Sequence, residues 1–569
     1  MPVMYTSPTR SSRLEENSMA TPKDTVLFLP LGGSGEIGMN MNLYGLDGQW
    51  IMIDCGTSFA GDDLPGVDMI FPDPAFISER RSDLLGLVLT HAHEDHIGAV
   101  AQLWPQLQCP VFATPFTAGM LRSKLSEAGL LDDVPLYEIG LNGSVELGPF
   151  NCEFVTLAHS IAEPNALLIK TRAGTIFHTG DWKLDAEPVV GEPANIDQLK
   201  RIGDEGVLAM VCDSTNVFNI GKSGSEEDLF APLSALLDGR KGRVAVTGFA
   251  SNIARLHTLA RVAKQNGRKA VLVGRSMRRN VSIAQNNGYL LDVPAFISEN
   301  EASQLPASKV MYICTGSQGE GRGAMARIAR DEHPTIKLGQ GDMVIFSSKV
   351  IPGNDVPLAG LYNKLAALGV EVITEKDSMV HVSGHPGRPD LVEMYGWIRP
   401  YIAIPVHGET RHLMEHAALA KELQVPHSRA AANGEMLALS PKGVKLAEIV
   451  ESGQLVKDGK HVTPRKTLEI RDRRRVAGDG HLVITLLVDE RLKLVQTPGV
   501  NCLGIPDSEA VAGKVAKAVE QVMVKAPKKQ KGTQDRLAET VRIAARRCCE
   551  QATGKRPVTD VQIMQLPSA

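Results

Sequence analysis

The chain has 569 residues, too many for one hydrophobic core, so several domains are expected. Hydrophobic residues make up 43% and charged residues 22%, as in an ordinary soluble globular protein, and a net charge of −4 excludes a chain-wide basic surface for nucleic acid. No apolar run reaches transmembrane length, and the eight cysteines are scattered without a Cys-x-x-Cys pair, so we expect a cytoplasmic protein with free thiols, Cys548 and Cys549 included.

Residues 1–24 are rich in Ser, Thr, Pro, Arg and Glu and hold no apolar segment. They read as a disordered tail rather than a signal peptide, with Met19 an alternative start. The fold opens with a strand over residues 25–31, followed by Gly32-Gly33-Ser34-Gly35-Glu36-Ile37-Gly38. Gly33, Gly35 and Gly38 match a dinucleotide fingerprint, with Asp54 in place for a ribose. The residues after Gly38 do not suit that motif. Residues 42–45 and 50–53 flank Asp47-Gly48 and predict a β-hairpin, leaving no room for the crossover helix that a parallel strand needs. The Gly-rich turn is better explained as backbone approaching a nearby site, with Asp54-Cys55-Gly56 ending a strand beside it.

That site is Thr90-His91-Ala92-His93-Glu94-Asp95-His96. It follows an apolar strand over residues 84–89 and precedes a helical pattern over 97–104, so four candidate metal ligands share one loop at the carboxyl end of a strand. His91 and His93 can converge on one ion, and Asp95 and His96 can serve a second. A lone histidine would be read as incidental; three with an aspartate in one loop are a metal site. Imidazole with carboxylate suits Zn²⁺, with Mn²⁺ or Mg²⁺ as alternatives.

Strand and helix signals alternate from 86 to 213. Residues 110–114 predict a strand, 117–128 a helix, 141–143 a turn, and 150–157 and 166–169 strands. A turn at Ala173-Gly174 leads into Thr175-Ile176-Phe177-His178-Thr179-Gly180-Asp181. His159 and Asp181 each follow a strand, as the first cluster does. His159 can complete the first ion's histidine set, and Asp181 can bridge both ions with its two oxygens. His178 is the rival ligand, but on an alternating strand it faces away from Asp181 and reads as structural.

Several further stretches carry a resemblance: Asp213-Ser214-Thr215-Asn216, Phe249-Ala250-Ser251-Asn252, Gly274-Arg275-Ser276-Met277, Thr315-Gly316-Ser317-Gln318-Gly319-Glu320, His381-Val382-Ser383-Gly384-His385 and Pro405-Val406-His407-Gly408-Glu409. In this order, with the histidine loop, the chain from about residue 25 onward resembles the ribonuclease J family, the β-CASP branch of the metallo-β-lactamase hydrolases. It departs from the family's pattern at Trp182, at Ala162-Glu163 and at Gly321, none of them a ligand. The resemblance implies an α/β fold: a metallo-β-lactamase αββα sandwich in two parts (25–218 and 373–448), an inserted β-CASP α/β domain (219–372), a linker (449–468) and a small C-terminal α/β domain (469–569).

The residues agree with an inserted unit. Helical patterns at 226–237 and 253–266 alternate with strands at 243–247, 269–273, 309–314 and 343–346, which implies a parallel sheet. Its strand ends present Ser251, Asn252, Arg275 and Ser276 as phosphate-binding candidates. The metal fold resumes with strands at 370–373 and 402–405, after which His407 fits as the last ligand of the second ion, beside Asp95, His96 and Asp181. His381, Ser383 and His385 are spaced by two and would line one face of an extended segment. By resemblance His385 is the general acid on the leaving oxygen, with His381 and Ser383 touching the scissile phosphate. His257, His412, His416 and His427 are expected on helices or the surface.

Past 448 the pattern weakens. Arg471, Arg473, Arg474 and Arg475 form a basic run, read as a solvated face that could touch RNA backbone. Strands at 482–488, 492–496 and 558–565, helices at 509–524 and 535–550, and a basic loop from Lys525 to Lys531 complete a small domain. The family's equivalent domain supports self-association, so a homodimer or homotetramer is expected.

The reading is therefore a ribonuclease with two divalent ions, in which Asp95 and Asp181 orient the attacking water and single-stranded RNA is cut 5′→3′ from a 5′-monophosphate end or internally. Two other classes use the same loop. A small-molecule hydrolase of an ester, thioester or lactone would need no inserted domain, and a non-catalytic RNA-binding scaffold would be expected to have lost ligands that here all stand.

Overall fold

A computed structural model describes residues 24–61, 63–351, 353–525 and 534–567. Apart from Asp24 and the backbone of Lys525, the expected N-terminal tail with Met19 and the expected basic loop lie outside these residues. The described residues form two compact units, one within 24–58 and 72–452 and one within 59–71 and 453–567.

The larger unit contains the αββα sandwich. One sheet has eight strands, in the order Gly443–Ile449, Glu435–Ser440, Val26–Gly32, Met41–Leu46, Gln49–Ile53, Leu84–Val88, Val111–Ala113 and Leu136–Glu138. The other has seven: Ser144–Leu147, Phe150–Thr156, Asn165–Thr171, Gly174–His178, Ala209–Asp213, Ile402–Val406 and His427–Ser428. Side chains alternate across each strand, and this alternation sets the packing. Leu167 and Ile169 point between the sheets, with Phe28, Tyr44, Ile51, Phe154 and Ile404. Their neighbours Ala166 and Leu168 point the other way, against Leu199, Ile202, Leu391, Met394 and Ile398 of two covering helices, Ile196–Glu205 and Arg388–Ile398. Burial of each such large side chain stabilises the fold by about 1.5–3 kcal/mol.

The expected hairpin is present. Met41–Leu46 pairs antiparallel with Gln49–Ile53, and the turn residues Asp47 and Gly48 have φ of 55° and 78°. Two positive φ values are the signature of the turn whose twist matches a hairpin.

The inserted domain is a five-stranded parallel sheet in the order Lys269–Val273, Val310–Cys314, Val244–Thr247, Met343–Phe346 and Glu371–Ile373. The last strand corrects an expectation. The segment read as the resumption of the metal fold pairs with Met343–Phe346 instead, because the helix Asp355–Ala367 returns the chain to the same sheet.

The smaller unit differs from the sequence reading in two places. Residues 449–468, expected as a linker, contain the hairpin Gln454–Asp458 and His461–Pro464, with Leu455 and Val456 buried. That hairpin joins a four-stranded sheet with Met69–Pro72 and Ser58–Phe59. The Asp458-Gly459 pair that looked like a break is its turn. Second, the strand expected at 492–496 lies at Gly499–Leu503, antiparallel to His481–Val488. Asp489 Oδ1 accepts the N–H groups of Arg491 and Lys493 at 2.9 and 2.8 Å, and Leu492 takes φ 58°, so 489–493 is a turn, after which Leu494 makes a single antiparallel bridge to Val488. Val558–Gln565 completes the sheet, and the helices Ser508–Lys525 and Gln534–Thr553 cover it with Val511, Val515, Val519, Leu537, Val541 and Ala545. The basic run sits on the helix Leu468–Asp479, where Arg473 pairs with Asp458 at 2.6 Å, Arg474 with Asp63 at 3.3 Å and Arg475 with Asp472 at 3.7 Å. All eight cysteines are free.

Candidate metal centre

The strand Leu84–Val88 delivers the histidine loop to the carboxyl edge of its sheet, and a short helix, Glu94–Ile97, turns the loop back on itself. Neighbouring backbone comes very close. A Cβ at Gly56 would lie 1.7 Å from the carbonyl oxygen of Asp95, so only glycine fits there. Gly33, Gly35 and Gly38 all have positive φ, and the carbonyl of Gly33 accepts the N–H of His407 at 2.7 Å. The Gly-rich turn thus lies against the backbone that carries His407.

Three imidazoles converge first. His93 Nδ1 is 3.1 Å from His91 Nε2 and 3.1 Å from His159 Nε2. Asp181 Oδ2 stands 3.8 and 3.9 Å from the same two Nε2 atoms. Burial holds His91 and His159 well below the usual imidazole pKa and brings His93 down to about 4, so all three are neutral at pH 7. The opposite nitrogens are occupied: His91 Nδ1 meets Thr90 Oγ1 at 3.0 Å, and His159 Nδ1 meets the Gly384 carbonyl. Those contacts turn the lone pairs inward.

A second group shares Asp181. His96 Nε2 is 3.2 Å from Asp181 Oδ2 and 3.6 Å from Asp95 Oδ2, and His407 Nε2 is 3.0 Å from Asp95 Oδ2 and 3.6 Å from Asp181 Oδ1. Burial opposes a proton on His407, but the carboxylates of Asp181, Asp95 and Asp213 overcome it and push its pKa up to about 9. Asp181 is 2% exposed, and its Oδ1 has no hydrogen-bond partner among the described residues. A buried, unpartnered carboxylate oxygen ringed by inward lone pairs is a costly arrangement unless a cation completes it. The two groups, His91, His93, His159 with Asp181 and Asp95, His96, His407 with Asp181, are suited to divalent ions.

Two carboxylates that sequence reasoning did not assign hold this set in place. Asp54, left-handed at φ 62° and 1% exposed, accepts the Thr90 N–H at 2.8 Å and the Thr90 hydroxyl at 2.9 Å, and meets His96 Nδ1 at 2.7 Å. Its only sequence signal was its place at a strand end beside the loop. Asp213 meets His385 Nδ1 at 2.8 Å and lies 3.7 Å from His407 Nδ1, which also meets Thr215 Oγ1 at 2.7 Å. Partners of this kind fix which ring nitrogen bears the proton and typically change metal affinity 10–100-fold. Asp54→Ala is therefore expected to weaken divalent-ion binding by roughly 10–100-fold while the protein stays folded. Chelator competition on the purified variant is the check; wild-type affinity would reduce Asp54 to a turn residue.

His178 lies outside both groups, with Nδ1 2.9 Å from the Tyr44 hydroxyl. His257, His412 and His416 are on helices as expected, but all three are buried; His416 is tied to Ser214 at 2.8 Å and Tyr395 at 3.0 Å.

The segment His381–His385 is irregular rather than a strand, yet burial still alternates along it, with Val380 and Val382 buried and His381, Ser383 and His385 less so. Ser383 Oγ accepts the His385 N–H at 3.0 Å and an N–H of Asn216. Burial, with Arg255, Lys349 and Lys183 nearby, brings His381 down to about 3. Burial works against a proton on His385 too, but Asp213 and Asp181 prevail and raise its pKa.

The phosphate candidates lie at the carboxyl ends of the inserted sheet's strands. Asn280 joins their two loops by donating to the Ala250 carbonyl at 3.0 Å. Arg275 is exposed and Ser276 half-buried at the start of the helix Arg275–Asn286. Ser251 is half-buried. Asn252 is not free to act as a donor arm in the way its position suggested: its side chain caps the helix Ile253–Gln265, accepting the Arg255 N–H at 2.8 Å.

Four family descriptions match this chain. Residues 36–151 match the metallo-beta-lactamase superfamily, 241–365 the ribonuclease J beta-CASP domain, 369–428 the Zn-dependent metallo-hydrolase RNA specificity domain, and 468–566 the ribonuclease J C-terminal domain. A ribonuclease J of Sinorhizobium meliloti is 41% identical over 551 residues, spanning 95% of this chain and 98% of its own. One from Corynebacterium glutamicum is 36% identical over 96% of this chain and 77% of its own, and one from Mycolicibacterium smegmatis 40% over 75% and 77%.

Proposed function

This chain belongs to the ribonuclease J family, a metal-dependent ribonuclease by that membership, and from that premise we propose that it degrades single-stranded RNA from a 5′-monophosphate end, 5′→3′, and also cuts internally. The observation that carries the reading is the pair of buried acceptor groups joined by Asp181, with His385 held beside them by Asp213.

In this reading His91, His93 and His159 would hold one divalent ion and Asp95, His96 and His407 a second, with Asp181 available to each. The imidazole-rich donor set favours Zn²⁺ over Mn²⁺ or Mg²⁺. Divalent ions so held supply a nucleophilic water near neutral pH and positive charge for the phosphate oxygens. The protein's own residues do the rest. Asp95 and Asp181 accept hydrogen bonds from the attacking water and orient it. His385, its Nδ1 pinned by Asp213, presents Nε2 to the leaving ribose oxygen and protonates it as the P–O bond breaks. His381 and Ser383 contact the non-bridging oxygens. Ser251, Arg275 and Ser276, with backbone N–H groups at the same strand ends, receive the terminal phosphate.

The proposed domain limits are 25–218 and 374–448 for the metal fold and 219–373 for the insertion, moved by one residue from the expected 372 so that the strand Glu371–Ile373 stays whole, with a C-terminal domain from 469, preceded by the 454–464 hairpin, that joins copies into a homodimer or homotetramer. No helix among the described residues is long and apolar enough to cross a membrane, and we place the protein in the cytoplasm.

The test is purified protein offered the same RNA with a 5′-monophosphate, with a 5′-triphosphate and with an internal label. Faster decay of the monophosphorylated RNA is expected. Equal rates would sink the 5′-end preference, and no cleavage of any RNA alongside hydrolysis of chromogenic esters would sink the ribonuclease reading. A mutation sharpens it. Because Asn252 caps a helix, and losing such a cap costs about 1 kcal/mol, the handle is Ser251 alone. Ser251→Trp is expected to slow initiation on monophosphorylated ends more than internal cutting; an equal loss on both would make this loop a general backbone contact.

A further inference from the structure

Phe218 is five residues past the end of the strand Ala209–Asp213 and 51% exposed. Single exposed apolar side chains are ordinary, so exposure alone says little. Its surroundings say more. The ring packs edge-on against His412, centroids 5.3 Å apart, and the Arg411 guanidinium lies 5.8 Å from the ring centre. His412 is pressed against the metal loop: a Cβ at Gly408, the residue after His407, would be 2.9 Å from His412 Cβ and 3.3 Å from Ser214 Cβ. Phe218 therefore stands beside the strand ends that carry Asp213 and His407.

It is also held rigidly. Val217 before it is fully buried, and Asn216 reaches the His385 carbonyl at 3.3 Å. The carbonyl of Asn219 after it accepts the Arg388 N–H at 2.8 Å. Its neighbours are anchored to the segment that bears the proposed general acid, so the ring does not swing freely.

An exposed aromatic ring beside a guanidinium is a combination that binds a nucleotide: the ring takes a base of any sequence, the cation its phosphate. We propose that Phe218, backed by His412 and beside Arg411, is a stacking platform for one base of single-stranded RNA at the mouth of the metal centre. This rests on the ribonuclease reading above. Arg411, which also pairs with Glu409 at 2.9 Å, and the adjoining strand ends that carry Asp213 and His407 are what favour a nucleotide over an apolar protein face.

The experiment measures binding of a non-cleavable 2′-O-methyl RNA to chelator-treated full-length protein by fluorescence anisotropy. Phe218→Ala is expected to bind roughly 5- to 150-fold more weakly, with Phe218→Tyr close to wild type. In Phe218→Trp the new indole should be quenched when RNA binds. On cleavable RNA, Phe218→Ala should raise KM and leave kcat near wild type. A series of RNAs carrying one abasic site each should contain one that wild type and Phe218→Ala bind equally, which marks the stacked base. Unchanged affinity in Phe218→Ala, or a loss that no abasic position abolishes, would overturn the platform. So would normal RNA affinity with altered self-association, which would make the patch a protein interface. The ribonuclease reading fails separately, if wild-type protein cuts none of the RNAs.

Discussion

Asp181→Ala should retain fewer than two divalent ions per chain and cut no RNA above background. Its carboxylate belongs to both groups assigned to ions, so the substitution removes one ligand atom from each. The loss is not replaceable locally. Asp95 lies on one side only, 3.6 Å from His96 Nε2 and 3.0 Å from His407 Nε2, and the other buried carboxylates nearby are engaged, Asp54 with Thr90 and His96 and Asp213 with His385 and the Thr215 N–H. Without Asp181, His91, His93 and His159 face each other with no negative charge among them, and a neutral three-imidazole set holds a divalent ion less tightly. The fold should survive, because among the described residues Asp181 Oδ1 makes no hydrogen bond and both oxygens face imidazoles of the site. Elemental analysis after dialysis reads the stoichiometry directly. Two ions retained at wild-type affinity would remove Asp181 from the centre.

His385→Ala should behave in the opposite way, keeping both ions while single-turnover cleavage falls by roughly 10²- to 10⁴-fold, the usual contribution of a positioned acid. His385 is absent from the two groups assigned to ions and belongs to a third four-residue group, with Asp213, Asp181 and His407. Its Nδ1 is 2.8 Å from Asp213 Oδ2 and 3.8 Å from Asp181 Oδ2, and its side chain is 23% exposed, the access a proton donor to substrate requires. Asp213→Asn should fall between wild type and His385→Ala, since it frees the ring's orientation without removing the ring. Near-normal turnover of metal-loaded His385→Ala would hand the proton-transfer role to His381 or to solvent.

The histidine loop could be read from the sequence because its four side chains are neighbours in the chain, and local spacing carries the information. His159, Asp181 and His407 were reachable by a weaker rule, that ligands gather at carboxyl ends of strands. Asp54 and Asp213 also end strands, yet nothing local says which carboxylate grips an imidazole from behind rather than from the front. That depends on which strands become neighbours. The same limit explains the misplaced elements. The Asp458-Gly459 hairpin has the pattern of a linker until Met69–Pro72 joins its sheet, and the 370–373 strand could not be assigned to a sheet by its own sequence. Asn252 shows the converse error: a polar side chain at a strand end looked like a ligand arm, and the helix start beside it had the stronger claim.

The parallel pairing of Ala209–Asp213 with Ile402–Val406 sets an order of assembly. Thr215 and His407 are in contact although 192 positions separate them, and the whole inserted sheet is made in between. A ribosome translating this chain has therefore released every other proposed ligand well before the last one emerges. Until then the seven-stranded sheet lacks the strand that carries His407, and the second ion's set is incomplete. The proposed second ion's set thus closes only after the whole inserted sheet has been made.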